Sequence, residues 1–82
     1  MKIYYKILDS DNDLQNEMMR LLYENFKLKL MWKLRSLESR ILAENGIIFI
    51  DRLNDKHPPI IRYEGFSIEL ECMIKSKLNY QK

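Results

Sequence analysis

The chain has 82 residues, of which 46% are hydrophobic and 32% charged, and its formal net charge is +2. This length allows one small domain, 1–82, with a thin core, and this composition excludes an intrinsically disordered chain. The lone cysteine cannot form an internal disulfide, no apolar stretch approaches the roughly 20 residues of a membrane span, and the first residues lack a signal-peptide pattern. We therefore expect a cytoplasmic protein with no membrane partner.

The first predicted element is a strand from Lys2 to Leu8, in which Ile3, Tyr5 and Ile7 share one face. The acidic cluster Asp9–Asp13 ends this strand. Ser10 is the expected cap of the helix that follows, and the carboxylates suit the positive end of the helix dipole.

A long helix is predicted from about residue 12 to residue 45, because its interior contains no glycine or proline and Asn45-Gly46 is a strong stop signal. Alternation over residues 26–34 also fits a strand. The helical interpretation is favoured by a stripe of five apolar residues at helical spacing: Phe26, Leu30, Leu34, Leu37 and Ile41. A straight helix of about 33 residues would measure roughly 50 Å, whereas so small a domain is about 30 Å across. The helix must therefore bend or project.

Residues 47–64 predict a β-hairpin, in which a buried-strand run over residues 47–50 and a second strand over residues 60–64 flank a proline-containing loop. Residues 66–78 fit either a strand or a helix, and a helix is favoured because glutamates come early and lysines late. The predicted order is β-α-β-β-α. We expect an α+β fold in which a small, mostly antiparallel sheet packs on a central helix, kinked or straight, and a C-terminal helix.

The long helix has a second apolar face. At 100° per residue, Leu21, Leu28 and Trp32 lie nearly opposite the stripe that would cover the sheet. Either the C-terminal helix covers them or a partner chain does, and an exposed patch of this kind is an association signal. The sequence thus predicts a protein-binding module of inhibitor or adaptor type, which forms a homodimer and covers or bridges the surface of another protein.

Residues 27–40 carry five basic side chains against one glutamate, which favours an alternative function. Lys29, Lys33, Ser36 and Arg40 form a row that could follow a phosphate backbone.

Residues 34–38, Gly46-Ile47-Ile48 and the 47–64 hairpin resemble the recognition helix and wing of winged-helix proteins. The resemblance implies that Lys33, Ser36 and Arg40 enter the DNA groove, and that Lys56 and His57 form the wing tip. It ranks second because residues 14–44 contain no glycine or proline to make the turn that this family needs.

Catalytic chemistry has little support in the sequence. His57 is the only histidine and Cys72 the only thiol, and a structural zinc site needs about four such ligands. Cys72 lies among Leu70, Met73 and Ile74, as a buried structural cysteine would. We expect no enzyme activity, no metal site and no cofactor.

Overall fold

The structure is a computed structural model, and it describes residues 1–7, 12–53 and 57–78. The elements in chain order are β1 (Lys2–Tyr5), α1 (Asp13–Lys33), a 3₁₀ turn (Arg35–Leu37), α2 (Glu38–Glu44), β2 (Ile47–Arg52), β3 (Ile60–Glu64) and α3 (Ile68–Leu78). The α+β class, the strand–helix order and the C-terminal helix are confirmed.

Helix α1 begins at a side-chain cap. The Asn12 Oδ1 atom accepts hydrogen bonds from the backbone N–H groups of Leu14 at 3.0 Å and Gln15 at 3.2 Å, which satisfies two donors that the first turn leaves without helical partners. The cap is therefore Asn12. Ser10, the expected cap, lies outside the described residues.

The long helix bends at Leu34, where the backbone leaves helical geometry (φ −97°, ψ 8°) and a 3₁₀ turn follows. Leu34 and Leu37 are both buried, so the bend keeps the apolar stripe in the core on either side of it. The predicted conflict between helix length and domain size is resolved by this bend. The molecule measures 41 × 26 × 19 Å.

The sheet has the strand order β1-β2-β3 and is mixed. The hairpin prediction is confirmed, since β2 and β3 pair antiparallel, with Phe49 opposite Arg62. The prediction of a mostly antiparallel sheet needs correction, because β1 pairs in parallel with β2 and Ile3 lies opposite Ile48. A helical crossover between neighbouring strands produces parallel pairing, and α1 and α2 provide that crossover.

One core joins the inner face of the sheet to the helices. The most deeply buried side chains are Ile3, Leu30, Leu34, Ile41, Ile48, Ile50, Leu70 and Ile74. Four of the five predicted stripe residues are buried, and Phe26 is half-buried. The expected core side of the long helix is therefore confirmed.

The junction between α2 and the sheet depends on two neighbouring residues. Asn45 adopts the left-handed conformation (φ 57°) that ends α2. Gly46 is needed for a different reason, because a Cβ atom there would overlap the Phe66 ring. Glu44 then ties α2 to α3 by accepting hydrogen bonds from the Ser67 backbone N–H at 2.7 Å and its hydroxyl at 3.1 Å.

Candidate protein-binding surface

The side of α1 that faces away from the sheet is apolar and uncovered. Leu21, Leu28 and Trp32, the predicted partner-binding residues, expose 60%, 61% and 73% of their surface. In contrast, Tyr23 and Leu30 on the opposite side of the same helix are buried. The structure thus brings the three predicted residues together on one exposed face.

This face extends further toward the N-terminus than predicted. Leu14 and Met18 are 68% and 62% exposed and lie on the same side of α1. We call the following set of residues the outer face of α1: Leu14, Met18, Leu21, Asn25, Leu28 and Trp32. Helix α3 does not cover it, since the buried residues of α3, namely Leu70, Ile74 and Leu78, join the core instead.

Charged side chains border the outer face. The Arg35 guanidinium lies 5.6 Å from the centre of the Trp32 ring at one end of it. Near its middle, the Tyr5 hydroxyl donates a hydrogen bond of 2.6 Å to Glu24 Oε1, and this bond raises the pKa of Tyr5. An apolar centre with a charged margin is the usual anatomy of a protein–protein interface.

The predicted nucleic-acid row is divided among three elements. Lys29 and Lys33 lie on α1, Ser36 lies in the 3₁₀ turn and Arg40 lies on α2, all of them exposed. The bend at Leu34 therefore prevents the continuous basic helix over residues 27–40 that the sequence predicted. Arg40 also lies 3.7 Å from Glu69 Oε1 and donates to Met73 Sδ at 3.3 Å.

The remaining predicted nucleic-acid residues belong to the loop between β2 and β3. His57 is exposed. Lys56 lies outside the described residues.

The thiol of Cys72 was expected to be buried, but it is exposed. The reason is that Leu70 and Ile74 of α3 face the core, and Cys72, midway between them, lies on the opposite side of the helix. Across residues 1–7, 12–53 and 57–78, no group of three or more His, Cys, Asp or Glu side chains could hold a metal ion.

The outer face of the sheet is a second exposed surface, which the sequence did not predict. Tyr4, Phe49 and Arg62 lie side by side across the three strands. The Tyr4 and Phe49 rings are 6.0 Å apart, and the Arg62 guanidinium lies 4.2 Å from the centre of the Phe49 ring. Alternation in β1 and β2 indicates which side chains share one face of each strand. It does not indicate which strands are neighbours, so it could not bring these three residues together.

Acidic residues hold the Arg62 guanidinium in place over the ring. Its Nε atom lies 3.1 Å from Asp51 Oδ2, and its Nη1 atom lies 2.6 Å from Glu64 Oε1. The hydrogen bond to Asp51 is the main reason why the pKa of Arg62 is raised. On the inner face of the sheet, burial raises the pKa of Tyr63 to about 12, with a smaller contribution from Glu71.

Comparison of the chain with protein-family models, with curated proteins and with solved structures finds no match. Among the helices of the described residues, none is long and apolar enough to cross a membrane.

Proposed function

We propose that this protein is a non-enzymatic protein-binding module that self-associates through the outer face of α1. The observation that carries the proposal is the exposure of Leu21, Leu28 and Trp32 on one side of a helix whose other side is already buried. Contiguous apolar surface of this kind is rare on monomeric proteins and marks interaction sites.

The residue types support the same proposal. Tryptophan is among the residues enriched at interface hot spots, and its exposed ring here has a leucine one helical turn before it. Charged groups at the margin, Arg35 and Glu24, would remain in contact with water after association. Burial of the apolar centre would therefore stabilise the dimer, while the charged rim would stay hydrated.

A module of this type would cover or bridge a surface of another protein. The outer face of the sheet is the second surface we propose for that role, because tyrosine and arginine are also residue types common at hot spots. Tyr4 is 51% exposed, and Arg62 is held in a defined orientation by Asp51 and Glu64. Self-association through α1 would leave this face accessible, since Tyr4 and Arg62 lie on the far side of the sheet from α1.

Sedimentation velocity tests the self-association. The wild type, Trp32→Ala and Leu28→Ala are compared with Leu42→Ala, which removes an equally apolar, 53% exposed side chain from α2. We expect the wild type and Leu42→Ala to dimerise equally, and the two α1 variants to dimerise more weakly while retaining the wild-type circular dichroism spectrum. A wild type that remains monomeric at tens of micromolar would end the proposal.

Nucleic-acid binding of winged-helix-like type is the alternative proposal. It is supported by the basic composition of residues 27–40 and by the β2–β3 hairpin. Three phosphate contacts, from Lys29, Lys33 and Arg40, would give a slope of log K against log salt of about −3 on duplex DNA. We expect instead that binding at physiological salt is no tighter than the non-specific range of about 10⁻⁴–10⁻⁶ M. A sub-micromolar affinity that Lys33→Glu abolishes would reverse the order of the two proposals.

A further inference from the structure

The outer face of α1 has the spacing of a coiled-coil seam. Its six residues follow one another at intervals of four, three, four, three and four: Leu14, Met18, Leu21, Asn25, Leu28 and Trp32. This is a heptad repeat in which the d positions are all leucine and the a positions are Met18, Asn25 and Trp32. We propose, building on the self-association above, that the occupant of this face is a second copy of the chain, paired as a parallel two-stranded coiled coil.

The protein's own fold leaves this seam accessible. The residues on the opposite side of α1, at the f positions of the same heptads, include Tyr23 and Leu30, which are 5% and 0% exposed. Each domain therefore lies behind its own helix, and two copies of α1 can meet along the seam without disturbing either core.

The seam offers a continuous apolar strip to a second copy. The five apolar residues of the outer face are between 60% and 73% exposed. The flanking residues Leu22 and Met31, 36% and 38% exposed, widen this strip toward the roughly 800 Å² per partner that a stable interface buries.

Asn25 selects the orientation of the two helices. In a parallel, in-register pair, a residue at an a position faces its own copy, so the two Asn25 amides would meet and hydrogen-bond to each other. In the antiparallel pair that aligns the same six residues, Asn25 would face Leu21 and its amide would be buried without a partner, which is costly. A single asparagine at an a position is known to specify register and oligomeric state.

The charges on the two sides of the seam select the same orientation. Glu24 occupies a g position and Lys29 the following e position. In the parallel pair, Glu24 lies beside Lys29 of the second copy, which is favourable, whereas the antiparallel pair places Glu24 beside Glu24.

Disulfide cross-linking distinguishes the two orientations. Met18→Cys and Leu28→Cys are each made in a Cys72→Ser background, mixed in equal amounts and oxidised. Residues 18 and 28 are about 15 Å apart along a helix, and a disulfide requires Cα atoms within about 7 Å. The parallel dimer predicts only Met18→Cys homodimers and Leu28→Cys homodimers.

Other outcomes of this experiment separate this inference from the proposed function. Cross-links only between the two different variants would mean that the chain dimerises antiparallel, which overturns the orientation and leaves self-association intact. Variants that still sediment as dimers but form no cross-link would place the interface elsewhere and overturn the inference as well. A wild type that sediments as a monomer would overturn both.

Replacing Asn25 tests its role directly. In an Asn25→Leu background, the two orientations lose their main difference, so we expect dimers to persist and mixed Met18→Cys–Leu28→Cys cross-links to appear alongside the homodimers. If only homodimers form in that background, the asparagine does not select the orientation.

Discussion

Two leucines of α1, only two residues apart, should differ sharply in how much their replacement by alanine destabilises the monomer. Leu30 is completely buried, so Leu30→Ala should lower the free energy of unfolding by about 2–5 kcal/mol. Leu28 is 61% exposed, so Leu28→Ala should change the stability of the monomer by no more than about 0.5 kcal/mol. The two variants carry the same change in helix propensity, so each is the matched control of the other.

The effect of Leu28→Ala should be found in the dimer instead. Full burial of a leucine contributes about 1.5–3 kcal/mol, and the exposed part of Leu28 therefore contributes about 1 kcal/mol for each protomer. The substitution should weaken the dimer by about 2 kcal/mol, which raises the dissociation constant about 30-fold.

Urea unfolding followed by circular dichroism, at a protein concentration well below the dimer dissociation constant, measures the stability of the monomer. Sedimentation velocity at higher concentrations measures the dimer. The assignment of the two faces of α1 would be wrong if Leu30→Ala costs less than about 1 kcal/mol or Leu28→Ala costs more than about 2 kcal/mol in the monomer.

Three further predictions concern single positions. Gly46→Ala should destabilise the fold by about 1–3 kcal/mol because its methyl group would overlap the Phe66 ring, and urea unfolding should show a smaller loss in a Phe66→Leu background. The pKa of Tyr63 is about 12 in the folded protein, whereas its ordinary value is 10.0. Because only the unfolded state ionises between these values, the free energy of unfolding should fall as pH rises from 10 toward 12. Urea unfolding at pH 9 and pH 11 should show a smaller fall in Tyr63→Phe. Cys72→Ala and His57→Ala should each leave the dimer dissociation constant within a few-fold of wild type by sedimentation, and a folded variant that no longer dimerises would contradict this.

The sequence was most informative about the helices. Spacing alone placed Leu30, Leu34, Leu37 and Ile41 in the core, because a helix that covers a sheet must keep its apolar residues on one side. The end of the helix at Asn45 and Gly46 followed from local backbone preferences. These features depend on neighbouring residues and so are visible in a single sequence.

Features that depend on distant contacts were less predictable. The bend at Leu34 contains no proline or glycine, and Leu34, Leu37 and Ile41 are all buried around it, so no local sequence signal marks its position. The parallel pairing of β1 with β2 depends on where the crossover returns the chain. The row of Tyr4, Phe49 and Arg62 exists only once that strand order is known.

The sequence alone also did not indicate the role proposed for Asn25. Its spacing relative to Leu21 and Leu28 is present in the sequence, but a polar residue between apolar ones has no special meaning on a helix of unknown environment. It becomes informative when the structure leaves Leu14, Met18 and Trp32 exposed on the same side as Asn25.

The central claim, self-association through the outer face of α1, is tested most directly by the mass of the wild-type protein across a concentration series. Trp32 is the only tryptophan and is 73% exposed, so its fluorescence reports on the same face. At tens of micromolar we expect light scattering to give twice the 10.0 kDa chain mass, with Trp32 emission shifting to shorter wavelength as the dimer forms. A mass of 10.0 kDa throughout, with emission that does not change, would contradict the account.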